Sequence, residues 1–123
     1  MMDDFGVRVL VVDDVKDAAE ALACALQADG YTVQMAHDGA TALSLLETFV
    51  PHCVLLDIDM PMMDGHEVAS RLRLRFGDGV VLIAVTGWGR ADDCFSGAFE
   101  LFDHYLRKPF ETAALHKVLP PLH

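Results

Sequence analysis

Carboxylates follow two apolar runs of this sequence. Asp13 and Asp14 come directly after Val7–Val12, and Asp57 closes Cys53–Asp57. Strand interiors disfavour carboxylates, and burial of an unpaired charge is costly. Such an acid either marks the point where a strand reaches the surface or is held there to do chemistry.

Two later apolar runs are followed by a hydroxyl and an ammonium group, on Thr86 and Lys108. If all these groups met, three carboxylates about 5 Å apart would repel by roughly 3 kcal/mol per pair at an effective dielectric constant near 20, and a divalent cation would reverse that sign. Oxygen ligands favour a hard ion such as Mg²⁺. The set suits phosphoryl transfer to a carboxylate, with Asp57 as nucleophile and the cations stabilising the phosphoryl oxygens.

The sequence pattern provides elements that could bring these residues together. Short apolar runs alternate with helical patterns, and the predicted strands are Val7–Val12, Thr32–Ala36, Cys53–Asp57, Val80–Val85 and His104–Arg107. The predicted helices are Val15–Asp29, Thr41–Val50, Asp64–Phe76, Ala91–Phe102 and Glu111–Leu119. Strict alternation predicts an α/β fold with a parallel sheet covered by helices on both faces. In such sheets, ligands bind at the carboxyl ends of the strands.

Composition limits the classes of function. The chain has 123 residues, 53% of them hydrophobic, which predicts one folded domain over residues 1–123. Its net charge of −10 argues against nucleic-acid binding. No apolar run reaches the roughly 18 residues of a membrane span, so no direct membrane contact is expected. The three cysteines and six histidines show no metal-ligand spacing, and a reducing, cytoplasmic location with solvated histidines is expected.

Four motifs in order carry a family resemblance over essentially the whole chain. They are VVDD at 11–14, LLDIDMPMMDG at 55–65, AVTG at 84–87 and KPF at 108–110. The sequence resembles the receiver domain of two-component response regulators, free-standing or fused to a hybrid sensor kinase. The resemblance implies a flavodoxin-like, doubly wound sheet in the order 2-1-3-4-5 with five helices. It also implies a phosphoacceptor signalling domain that is not an enzyme with turnover.

The resemblance assigns roles to residues at the predicted rim. Asp57 corresponds to the phosphoacceptor, and Asp13, Asp14, Asp57 and the backbone carbonyl of Asp59 would hold Mg²⁺ or Mn²⁺. Lys108 would bind the carboxylate and then the phosphoryl group, and the bond to Pro109 would be cis. Thr86 and Tyr105 correspond to the coupled switch pair. Asp59 and Trp88, near the solvent gate, are expected to set the lifetime of the acyl phosphate.

The resemblance also implies partners for the chain. A histidine kinase or a histidine phosphotransfer protein would donate or accept the phosphoryl group, docking near Asp57 and on the first helix. The expected output surface, which could also serve a homodimer, is the face of the predicted fourth helix, fifth strand and fifth helix.

Two alternatives stay open from the sequence. Asp57-Ile58-Asp59 is similar to the DxD of haloacid-dehalogenase-type phosphatases, although Pro61 departs from that pattern and the motif follows the third predicted strand rather than the first. The chain could also be an interaction module with this fold that no longer accepts a phosphoryl group.

Overall fold

The fold is an α/β sandwich built on one parallel sheet. The computed structural model describes residues 7–57, 65–86, 101–107 and 112–119, with the side chains of 65, 66 and 112 left aside. The elements in these ranges are β1 Arg8–Val12, α1 Lys16–Ala28, β2 Thr32–Ala36, α2 Gly39–Leu45, β3 Cys53–Asp57, α3 Gly65–Phe76, a 3₁₀-helix Gly77–Gly79, β4 Val81–Thr86, β5 His104–Arg107 and α4 Thr112–Val118.

All five strands run parallel in the order β2-β1-β3-β4-β5, which confirms the predicted sheet. The described residues contain four α-helices rather than the five predicted. The additional predicted helix, Ala91–Phe102, lies outside them except for its last two residues, which are not α-helical.

Two apolar layers form because successive side chains of each strand point to opposite faces of the sheet. Val9 and Val11 of β1 join one buried cluster, whereas Leu10 and Val12 join the other. Helices α1 and α4 cover the first layer through Ala19, Ala23, Leu26 and Leu115. Helices α2 and α3 cover the second through Ala42, Val68, Ala69 and Leu72. Full burial of one such aliphatic side chain contributes about 1.5–3 kcal/mol, so both layers stabilise the sheet that carries the rim.

Strand register aligns the carboxyl ends of the central strands. Val12 pairs with Leu56, so the residues that follow them, Asp13 and Asp57, occupy equivalent positions at the ends of neighbouring strands. Asp57 in turn pairs with Val85, the residue before Thr86. The sheet thus brings residues far apart in sequence to one rim.

The ends of the first two helices differ from the predictions. Val15, expected on the apolar face of α1, is the N-cap residue and is exposed, because the helix begins only at Lys16. Helix α2 begins two residues before the predicted start, since the Asp38 carboxylate accepts a hydrogen bond from Thr41 N–H. It ends at Leu45 and not at the predicted Val50. After Leu45 the chain continues in tighter 3₁₀-type turns, such as the bond from Thr48 N–H to the Leu45 carbonyl.

At the opposite end of the sheet, His52 forms hydrogen bonds to neighbouring strands. This corrects the expectation that all histidines are solvated. His52 is partly buried, and its Nδ1 accepts a hydrogen bond of 2.9 Å from Arg8 N–H. Its backbone N–H donates to the Arg8 carbonyl, and its carbonyl accepts from Val81 N–H, so His52 joins three strands. Burial, with a smaller contribution from the Arg8 charge, holds the pKa of His52 below its usual value.

Among the described residues, no helix combines the length and the apolar character that a membrane crossing requires.

Candidate functional site

Three carboxylates meet at the rim formed by the carboxyl ends of β1 and β3. One carboxylate oxygen from each of Asp13, Asp14 and Asp57 lies within 4.8 Å of the others. Asp13 and Asp57 are buried, at 6% and 5% exposure, and Asp14 is exposed. The arrangement has two shielded acids with a third at the solvent edge, and the predicted convergence of these acids is observed.

Backbone hydrogen bonds hold Asp13 in place. Asp13 N–H donates to the Ala36 carbonyl at 3.0 Å, which extends the β1–β2 pairing by one residue. The Asp13 carboxylate accepts from Val15 N–H at 3.0 Å, a local turn that aspartate favours. This bond fixes the orientation of the Asp13 side chain at the rim.

His37 supports the same turn from β2, and the sequence analysis did not find this role. Its Nδ1 lies 3.0 Å from the Asp13 carbonyl oxygen. Because a carbonyl oxygen only accepts, Nδ1 must carry the proton of this bond. His37 follows the edge strand β2, and the sequence pattern predicts that it is solvated, like the other histidines. The register of β1 on β2, which pairs Val12 with Ala36, brings it back toward the site.

The donor set fits a hard divalent cation. All three ligand groups are carboxylates, as Mg²⁺ prefers. Oxygens around one Mg²⁺ lie at most about 4.2 Å apart, so modest side-chain rotation would close the observed spacing onto an ion. Without a cation, the same groups repel one another.

Thr86 and Tyr105 lie on adjacent strands and on the same face of the sheet. Thr86 is the last residue of β4 rather than the residue after it, and it is buried at 1% exposure. Tyr105 pairs with Ala84, two residues before Thr86, and it is 58% exposed. Side chains two residues apart on a strand share a face, which places the hydroxyl and the aromatic ring on the side covered by α2 and α3.

Four predicted site residues lie outside the described part of the chain: Asp59, Trp88, Lys108 and Pro109. Thr86 pairs with Arg107, the residue before Lys108 in sequence. The roles expected of these four residues therefore stay predictions.

Comparison with known proteins gives a consistent family match. The model of the family described as response regulator receiver domain matches residues 9–120. The response regulator MprA of Mycobacterium ulcerans is 39% identical over 109 residues, which are 89% of this chain and 47% of that protein. The chain thus spans about half the length of the curated relatives it matches.

Solved structures agree with the sequence match. The response regulator protein TrrA from Thermotoga maritima, in complex with Mg²⁺-BeF, is 31% identical and superposes with a TM-score of 0.79, covering 92% of this chain and 99% of that one. The structure of histidine kinase ThkA in complex with TrrA gives 32% identity and a TM-score of 0.78, covering 90% of this chain and 93% of the other.

Proposed function

Because this chain belongs to the response regulator receiver domain family of two-component systems, we propose that Asp57 accepts a phosphoryl group in an Mg²⁺-dependent reaction. The domain would act as a phosphoacceptor switch without turnover of a substrate. The observation that carries the proposal is the meeting of Asp13, Asp14 and Asp57 within 4.8 Å at the sheet rim.

Asp57 is suited to be the nucleophile. It ends β3, the central strand, and is buried at 5% exposure, so its carboxylate is held by a rigid element and shielded from bulk water. A carboxylate oxygen would attack the phosphorus atom of a phosphohistidine donor. The new P–O bond forms as the P–N bond breaks, and the leaving imidazole takes up a proton from water.

Asp13 and Asp14 would hold the cation together with Asp57. When bound, Mg²⁺ would neutralise negative charge on the phosphoryl oxygens. The buried Asp13 is oriented by its bond from Val15 N–H, whereas the exposed Asp14 can rotate toward the incoming ion. The backbone carbonyl of Asp59 and the ammonium of Lys108 would complete the site.

Phosphorylation would reach the surface through Thr86 and Tyr105. The Thr86 hydroxyl would turn toward the new phosphoryl group, and the Tyr105 ring would move inward on the same face. Tyr105 is now 58% exposed, so this movement would bury more of its ring. One output would be a homodimer through the face formed by the predicted helix Ala91–Phe102, β5 and α4.

The phosphoryl donor would be a histidine kinase or a histidine phosphotransfer protein. Support comes from the structural relative TrrA, which is found in complex with the histidine kinase ThkA. Helix α1 borders the rim and presents small side chains outward, so a partner helix could approach closely. We therefore place donor docking on α1 and the rim.

Intact-mass measurement after incubation with acetyl phosphate tests the proposal. We expect one phosphoryl adduct that requires Mg²⁺, is absent from Asp57→Asn and persists in Asp78→Asn, a control at an acid remote from the cluster in sequence. An adduct that survives in Asp57→Asn would refute the site. Absence of any adduct, also with a phosphohistidine donor, would favour the interaction-module alternative. Sustained hydrolysis of a small phosphate ester would favour the phosphatase alternative.

A further inference from the structure

Leu74 is an apolar side chain that the fold leaves in water. It is 87% exposed, the highest value among the large hydrophobic residues of the described ranges. It lies on α3 opposite the buried Leu72 and shares a helical stripe with Arg71 and Arg75, three residues before it and one after. Packing among the described residues does not account for an exposed leucine at this position.

The stripe borders a groove between α2 and α3. The groove has a volume of about 370 Å³ and is lined by Leu43, Leu46, Arg71, Leu74 and Arg75. Leu46 is buried and Leu43 is partly buried, so leucines of α2 and its C-cap form an apolar floor. The guanidinium groups of Arg71 and Arg75 lie at the edge of the groove. An apolar floor with cationic edges suits an amphipathic ligand with acidic flanks.

The charge of this face is opposite to that of the chain. The protein has nine Lys and Arg against nineteen Asp and Glu, yet the two charged residues that line the groove, Arg71 and Arg75, are both cations, and α2 has no charged residue. Arg71 pairs with Glu67, the acid in the first turn of α3. Within the described residues no carboxylate pairs with Arg75, whose guanidinium lies 5.6 Å from the centre of the Phe76 ring.

We propose that this groove docks an acidic amphipathic helix of a partner protein. An apolar side chain of that helix would enter between Leu43 and Leu74, and its carboxylates would meet Arg75 and Arg71. Arginine can form two parallel hydrogen bonds with one carboxylate, which suits it to this contact. The Debye length is about 8 Å at physiological ionic strength, so distant acids of the chain are screened while the two arginines act at contact. A basic helix would instead be drawn to the acidic remainder of the surface.

A fluorescein-labelled peptide tests the groove. The probe is a helix with leucines along one stripe and glutamates elsewhere, titrated by anisotropy, with a scrambled peptide of equal composition as its control. Leu74→Ser and Arg75→Glu should each weaken binding at least about tenfold, whereas Lys117→Glu, a matched charge change on exposed α4, should alter it less than about twofold. Amide shifts in ¹⁵N spectra should centre on Leu43, Leu46 and Leu74.

Three outcomes would overturn the proposal. They are equal binding of the scrambled peptide, equal weakening by Lys117→Glu, and no loss of binding in Leu74→Ser. Sedimentation velocity addresses a fourth: self-association that Leu74→Ser abolishes would show that the groove is occupied by a second copy of the chain. None of these measurements requires phosphorylation of Asp57, so their failure is distinguishable from failure of the proposed function.

Discussion

Arg73 and Asp103 form a clamp between α3 and the chain that enters β5. Arg73 Nη2 lies 2.8 Å from Asp103 Oδ2, and the same oxygen accepts a 2.8 Å bond from Leu82 N–H. The other guanidinium nitrogens donate to the carbonyls of Leu101, Gly77 and Val80. One side chain thus holds Asp103, which immediately precedes β5 and lies two residues before Tyr105.

Removal of this clamp should destabilise the fold. Arg73 is only 17% exposed, and Arg73→Met would remove four hydrogen bonds, which the guanidinium donates to three carbonyls and to the Asp103 carboxylate. The expected loss is about 2–3 kcal/mol in the free energy of unfolding, measured by urea denaturation.

Arg71→Met provides the matched control. Its pair with Glu67 is an exposed contact four residues apart on the same helix, for which about 0.5 kcal/mol or less is expected. Equal losses in the two variants would contradict the importance of the clamp.

The stability of the protein should fall as the pH falls below about 6.5, through His52. Its pKa is lowered in the folded chain, mainly by burial, so between the folded value and the unfolded value near 6.5 the unfolded chain binds more protons. The contribution of neutral His52 to the free energy of unfolding is fully present above about pH 6.5. It declines as the pH falls toward the pKa of His52 in the folded chain, and it changes no further below that pKa.

Urea denaturation between about pH 7.5 and pH 5 measures this effect. His52→Asn keeps an oxygen that can accept from Arg8 N–H but has no titrating ring, so its stability should depend less on pH in this window. An unchanged pH slope in His52→Asn would assign the dependence to other groups.

Asp13→Asn should bind Mg²⁺ at least about tenfold more weakly by calorimetry and should stabilise the metal-free chain by about 1 kcal/mol, because one charge of a repelling set is removed. Asparagine keeps the oxygen that accepts from Val15 N–H, so the turn is preserved. Asp17→Asn, in the first turn of α1, is the control and should leave Mg²⁺ affinity within about twofold. Stabilisation without loss of Mg²⁺ affinity would argue that the cluster is not the cation site.

His37→Ala should weaken Mg²⁺ binding about three- to tenfold, because the Asp13 carbonyl loses the N–H that fixes the turn. His37→Asn should restore most of the affinity, since its amide can donate from a position near that of Nδ1. If both variants bind Mg²⁺ like the parent chain, the histidine does not position the site.

The two tyrosines allow the switch to be observed directly. In chain labelled with 3-fluorotyrosine, ¹⁹F spectra should show two signals, one from buried Tyr31 and one from exposed Tyr105. Addition of Mg²⁺ and acetyl phosphate should shift the Tyr105 signal and leave Tyr31 nearly unchanged. Thr86→Val, which keeps the buried shape without the hydroxyl, should reduce that shift. A Tyr105 signal that does not move in phosphorylated protein would refute the coupling.

The sequence by itself determined the elements and the acids of the rim. The bounds of β2, β3 and β5 match the prediction, because an apolar run and the turn residues around it are local signals. The positions of Asp13, Asp14 and Asp57 at strand ends followed from the same signals. Helix ends were less certain because a cap such as Asp38, or a 3₁₀ turn after Leu45, shifts them by a few residues.

Only the tertiary structure decided which distant polar groups meet. His37 and Asp13 are 24 residues apart, His52 and Arg8 are 44 apart, and Arg73 and Asp103 are 30 apart. No periodicity relates such pairs, since each forms only after sheet register and helix packing have placed both partners. The exposure of Leu74 was decided in the same way, because the apolar type of a residue does not state which face its helix turns to the sheet.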